Sequence, residues 1–127
     1  MQMRIALTTL LFLMSFFLFA QVKDISTQSA KKKLKKEIIV LDVRTGEEYK
    51  SGHIEGAVNY DVLDSTIFLT QIEKLDKDKT YLVYCRSGKR SADAASIMDQ
   101  KGFSNVFNMK GGILAWQKKK YKVSTNK

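Results

Sequence analysis

The chain has 127 residues, with 22 Lys and Arg against 13 Asp and Glu, a formal net charge of +9. At 44% hydrophobic residues that is material for one small domain with a single core, not for several domains. A single cysteine excludes an internal disulfide and a C-x-x-C dithiol exchange; with a single histidine beside it, no metal site and no cofactor are expected.

In chain order, residues 1–20 read as a signal peptide. Arg4 precedes an apolar stretch from Ile5 to Ala20, broken by Thr8, Thr9 and Ser15, and the sequence turns polar at Gln21. An uncleaved anchor is the alternative, although the 16 residues of that stretch fall short of the roughly 20 that span a bilayer comfortably. Both readings export the remainder to the periplasm or the outside. Val22 to Ile25 suits a short strand, and Ser26 or Thr27 caps a lysine-rich helix reaching about Lys36. Ile38 to Val43 is a continuous apolar run with one acid, the pattern of a strand covered on both faces. A helical turn follows over Gly46 to Lys50, closed by Ser51 and Gly52. Ala57 to Val62 reads as a third strand, and Ile67, Leu69, Ile72 and Leu75 stripe a helix from Ser65 to Leu75.

Tyr81 to Tyr84 reads as a buried strand ending at Cys85, followed by a loop through Gly88 and a helix from Ser91 to Gln100. Asn105 to Met109 makes a last strand, and Gly111-Gly112 opens a helix from Ile113 to about Lys119. Strand and helix alternate throughout, which predicts an α/β fold: a small parallel sheet with helices on both faces. In such sheets active sites gather at the carboxyl ends of strands, where Cys85 falls. A cysteine there sits beside a helix N-terminus, where free N–H groups favour an anion and lower a thiol pKa. Arg86, Lys89 and Arg90 add cations, marking a thiolate nucleophile in an anion cradle. The bland alternative is a small buried hydrophobe, which requires neither the glycine nor the cations. The lysines at 31–33 and 35–36, and at 118–120 and 122, read as solvated faces, with attraction to an anionic surface as the alternative. No nucleic-acid motif accompanies them.

Leu41-Asp-Val-Arg44, Tyr49, Gly52-His-Ile54, Gly56-Ala-Val-Asn59, the Cys85–Arg90 loop and Gly111-Gly-Ile-Leu-Ala-Trp116 together resemble a single-domain rhodanese. The resemblance covers residues 24–121, leaving 122–127 as a basic tail, and is nearest to the small secreted or periplasmic bacterial type. It implies a sulfurtransferase. Cys85 takes the outer sulfur of a small anionic donor such as thiosulfate and holds it as a persulfide. Cyanide or an external thiol then removes it. Arg86, Ser87, Gly88, Lys89 and Arg90 would bind the substrate, with Asp42 and Arg44 as a supporting ion pair, in a chain acting as a monomer without stable membrane association once the signal is cleaved. His53 belongs to a structural turn in that family, and Trp116 is expected to pack the last helix on the sheet. Two departures stand out. Glu55 replaces a common turn proline, and Glu47 and Glu48 stand near where larger thiosulfate enzymes carry a second anion-binding arginine.

Two other classes are weighed against this. Related cell-cycle phosphatases, and arsenate reductases, need five residues between cysteine and arginine; here four separate Cys85 from Arg90, and Ser91 holds the phosphatase position. A non-enzymatic persulfide carrier or binding module is the other alternative, since nothing in the chain names the acceptor.

Overall fold

The structure, a computed structural model, describes residues 22–125; the signal or anchor segment lies outside them. Ten elements alternate along the chain: β1 (Lys23–Ile25), α1 (Thr27–Lys33), β2 (Ile39–Asp42), α2 (Gly46–Ser51), β3 (Val58–Asn59), α3 (Ser65–Glu73), β4 (Thr80–Tyr84), α4 (Lys89–Gln100), β5 (Asn105–Met109) and α5 (Gly112–Lys118). The strands form one parallel sheet in the order β1-β5-β4-β2-β3, so the expected α/β sheet with helices on both faces is present.

The period-2 alternation of the strands divides the interior in two. On one face Leu41, Tyr81, Val83 and Cys85 meet Phe68 and Ile72 of α3 and Ala94, Ala95 and Met98 of α4. On the other, Val40, Leu82, Tyr84 and Phe107 meet Ala30 of α1 and Ile113 and Trp116 of α5. The single core expected from chain length is therefore two half-cores separated by the sheet. Burial on both faces is why β2 and β4 lack a polar face in sequence.

Some boundaries move for local reasons. Helix α1 is capped by the Ser26 hydroxyl, which accepts from Ser29 N–H, and it ends at Lys33, three residues short of expectation. The third strand shrinks from Ala57–Val62 to Val58–Asn59, because it pairs only with Leu41 and Asp42 at the sheet edge. The Asn59 amide bonds instead to the carbonyls of Asp42 and Arg44, at 3.0 and 2.8 Å, which fixes the chain across the end of β2. Helix α4 starts at Lys89, two residues early: Gly88, at φ 107°, takes a conformation that side chains rarely adopt and turns the chain at once into the helix.

The register sets Asp42 beside Tyr84 at the carboxyl ends of β2 and β4. Around them lies a buried polar knot. The Arg44 guanidinium donates to both Asp42 carboxylate oxygens, the shortest bond being 2.7 Å, and to the Gly52 carbonyl at 2.6 Å. The Tyr84 hydroxyl donates to Asp42 Oδ2 at 2.7 Å and accepts from Ile54 N–H at 3.0 Å. Burial, then the adjacent Asp42 carboxylate, pushes the Tyr84 phenol far above its ordinary range, so it stays a donor. Burial works against the Arg44 charge, but Asp42 outweighs it and raises the Arg44 pKa. The expected Asp42–Arg44 ion pair is present as this fully bonded pair, with side chains 0% and 5% exposed.

Losing one partner of such a pair leaves the other charged and buried. Asp42→Asn is expected to lower the unfolding free energy by about 3 kcal/mol, read as an earlier midpoint in urea denaturation. A midpoint like that of the wild type would mean that the knot carries little of the stability.

Candidate active site

Cys85 follows β4 directly and is 1% exposed. Its sulfur lies against the start of α4, where unpaired amides collect. Gly88 N–H donates to Sγ at 3.1 Å, and the Ser91 hydroxyl lies 3.3 Å from Sγ. Burial pushes the thiol pKa up. The Ser91 hydroxyl and the amides of Ser91, Gly88 and Ser87 outweigh it, and the thiol titrates below its ordinary value. The local balance favours a thiolate.

The loop presents its amides inward because its carbonyls are taken from outside. Ile113 N–H donates to the Cys85 carbonyl at 2.9 Å and Leu114 N–H to the Arg86 carbonyl at 3.1 Å. A planar trans peptide points its N–H opposite its C=O, so anchoring the Arg86 carbonyl on α5 turns the Ser87 N–H toward the sulfur. That approach demands glycine at 112. A Cβ there would collide with the Arg86 carbonyl and sit 2.5 Å from the Cys85 carbonyl oxygen, and the residue has φ 59°.

The cations of the loop separate into two kinds. Arg86 and Lys89 are exposed and make no ion pair among the described residues. Arg90 is half-buried and locked to Glu48 by two bonds, Nη1 to Oε1 at 2.7 Å and Nη2 to Oε2 at 3.0 Å. Glu48 is itself held by the Thr45 hydroxyl and N–H, at 3.1 and 3.3 Å, in the capping box of α2. The Arg90 bond above all, against burial and together with Thr45, pulls the Glu48 carboxyl from 4.5 down to about 2. A depressed carboxyl stabilises the fold fully above its unfolded value. The Glu48 contribution is therefore complete above about pH 4.5 and lost as the pH falls through 2.

Of the residues singled out in the sequence, Cys85 to Arg90 form this loop and helix start. Asp42 and Arg44 lie in the buried knot at the neighbouring strand end. His53 has Nδ1 2.8 Å from the Tyr49 carbonyl, its ring stacked on Tyr49 at 3.8 Å and its backbone bridged to Ser124. Trp116 is buried, packs edge-on to Tyr121 and donates to the Lys122 carbonyl. Three contributors were missed as such. Ser91 follows Arg90 directly, six residues after Cys85, and a hydroxyl in the first turn of the helix that follows the cysteine's loop was its signal. Gly112 was visible only as half of a Gly-Gly pair. Glu48 was noted only as an acid near the place of a missing anion-binding arginine, not as the partner of Arg90.

The comparisons with known proteins agree with one another. The Rhodanese-like domain family matches residues 26–119. A Bacillus subtilis protein, YtwF, named as a candidate sulfurtransferase, is 39% identical over 99 residues, covering 76% of this chain and 92% of its own length. The thiosulfate sulfurtransferase GlpE of Shewanella oneidensis is 33% identical over 81 residues, covering 64% of this chain and 77% of its own. Among solved structures, a rhodanese-related protein from Thermoplasma volcanium superposes with a TM-score of 0.74 at 30% identity, covering 82% of this chain and 99% of that one.

The Ser91 hydroxyl has one proton and two acceptors, Sγ and the Gly88 carbonyl at 3.1 Å. Donation to sulfur is worth most when the sulfur is charged. Ser91→Ala is expected to slow alkylation of Cys85 by iodoacetamide near neutral pH about tenfold, the equivalent of roughly 1.4 kcal/mol of one charge-assisted bond. An unchanged pH profile of alkylation would remove Ser91 from the thiolate's support.

Proposed function

This chain belongs to the rhodanese-like domain family, and on that footing we propose that it is a sulfurtransferase working through a persulfide on Cys85. The Cys85 thiolate attacks the outer sulfur of a donor. For thiosulfate the S–S bond breaks and sulfite leaves with its electron pair, so three negative charges stand on each side of the step. Cyanide then takes the outer sulfur as thiocyanate, or a thiol takes it as a new persulfide, and the thiolate returns. No net oxidation occurs over the cycle.

The observation that carries this is the set of donors aimed at Sγ: Gly88 N–H at 3.1 Å and the Ser91 hydroxyl at 3.3 Å, with the Ser87 and Ser91 amides beside them. Preorganised donors of this kind stabilise a charge on sulfur without reorganisation. A persulfide places its outer sulfur about 2 Å beyond Sγ, and amides gathered on one atom suit that single sulfur better than a tetrahedral phosphate. The exposed Arg86 and Lys89 supply attraction for a small anionic donor. Asp42 and Arg44 act at a distance, by holding the end of β2 against β4.

Intact mass spectrometry of the protein after thiosulfate or a persulfide donor is expected to show the gain of one sulfur, erased by a reducing thiol and absent in Cys85→Ser. An alcohol at that position is no nucleophile at neutral pH. Sulfur transfer by the serine variant, or turnover of an aryl phosphate by the wild type, would overturn the assignment.

We also propose that the chain acts outside the cytoplasm. The support is the Arg4–Ala20 segment, apolar after a single cation and polar from Gln21. N-terminal sequencing of the exported protein is expected to begin near Gln21; recovery only from the cytosol would refute export.

A further inference from the structure

We propose that Glu48 selects the sulfur donor: by occupying Arg90 it leaves the site suited to a persulfide-terminated thiol and poorly suited to the thiosulfate dianion. The inference rests on the sulfurtransferase reading above and names its substrate class.

A sulfonate-like group is recognised most strongly by a guanidinium whose parallel N–H groups meet two of its oxygens. The loop carries two guanidiniums. Arg90 is the one pinned in place, in the first turn of α4, the helix whose start carries the donors to the sulfur. Its fork is spent, since Nη1 and Nη2 both donate to the Glu48 carboxylate. Thr45 holds that carboxylate through its hydroxyl and its N–H, so the acid does not swing away. What remains for a donor is Arg86 and Lys89, both exposed to solvent, which attract an anion at range but hold no fixed geometry.

A persulfide donor asks less of the site. It reacts as neutral R–S–SH and brings no sulfonate-like oxygens for a guanidinium to hold. The charge reaches the transferred sulfur only once that sulfur is on Cys85, where Gly88 N–H and the Ser91 hydroxyl already point at Sγ. In the step, Cys85 thiolate attacks the outer sulfur of R–S–SH, the donor S–S bond breaks and R–S⁻ departs. The proton of the outer sulfur passes to the departing thiolate, leaving R–SH and a Cys85 persulfide anion. One negative charge stands on each side and no external oxidant is needed.

The test uses the full chain and reads the rate of sulfur loading on Cys85 by quenched intact mass, with thiosulfate and with 2-hydroxyethyl persulfide as donors. Glu48→Gln removes the charge but keeps a side chain that serves in a capping box, so α2 stays capped. The ratio of thiosulfate loading to persulfide loading is expected to rise about tenfold. The double variant Glu48→Gln/Arg90→Gln removes both charges together and is expected to keep the wild-type donor ratio. An unchanged ratio in Glu48→Gln, or equal losses with both donors, would overturn donor selection and leave the sulfurtransferase reading standing. A selective loss of thiosulfate loading in the double variant would also overturn it, because Arg90 would then already hold the donor. Failure of the wild type to load sulfur from either donor would instead bring down the sulfurtransferase reading itself.

Discussion

The chemistry of this fold depends on where two carbonyl groups point. Cys85 and Arg86 give their carbonyls to the amides of Ile113 and Leu114 in α5, and the Arg86–Ser87 peptide plane then turns the Ser87 N–H toward the sulfur. Without that anchorage the loop's carbonyls would be free to face the sulfur and oppose a negative charge there. The anchorage in turn needs Gly112, since any side chain would strike the same two carbonyls. A glycine 27 positions from the cysteine thus decides what the cysteine feels.

The sulfur is also a case of two opposed effects of similar origin. Burial at the sheet end removes water and disfavours a thiolate, while the same burial strengthens each hydrogen bond that reaches it. The donors win because several converge on one atom. The neighbouring polar knot follows the same rule with a different outcome. Asp42, Arg44 and Tyr84 satisfy one another and the Gly52 carbonyl so fully that none is left to act on a ligand. It makes a rigid floor for the strand end that precedes the loop.

Both buried or half-buried arginines near the site are therefore neutralised, one by Asp42 and one by Glu48. The positive potential at the mouth comes from Arg86 and Lys89 at the surface, whose effect is long-ranged, weakly oriented and screened by salt. Under the donor-selection proposal, a site of this kind gathers anions without gripping them. That distinction separates attraction of a donor, which charge alone provides, from recognition of its shape, which requires a held fork of donors.

Much of the architecture was legible in the sequence because it is local. Continuous apolar runs marked β2 and β4, the hydroxyl pair Ser26-Thr27 marked the start of α1, and Asn105–Met109 was bounded correctly. The cysteine at the strand end before a glycine and three cations was equally visible. What the sequence by itself determined is this alternation of elements and the placing of Cys85 at a helix start, since both follow from neighbours a few residues apart. The tertiary structure alone decided which acid answers which base and which amide reaches which carbonyl. Glu48 and Arg90 are 42 residues apart, as are Asp42 and Tyr84, and the sheet order β5-β4-β2 brings them together. A sequence pattern carries periodicity along the chain, but pairing across it is set only when parallel strands align in register and bring their carboxyl ends to one side.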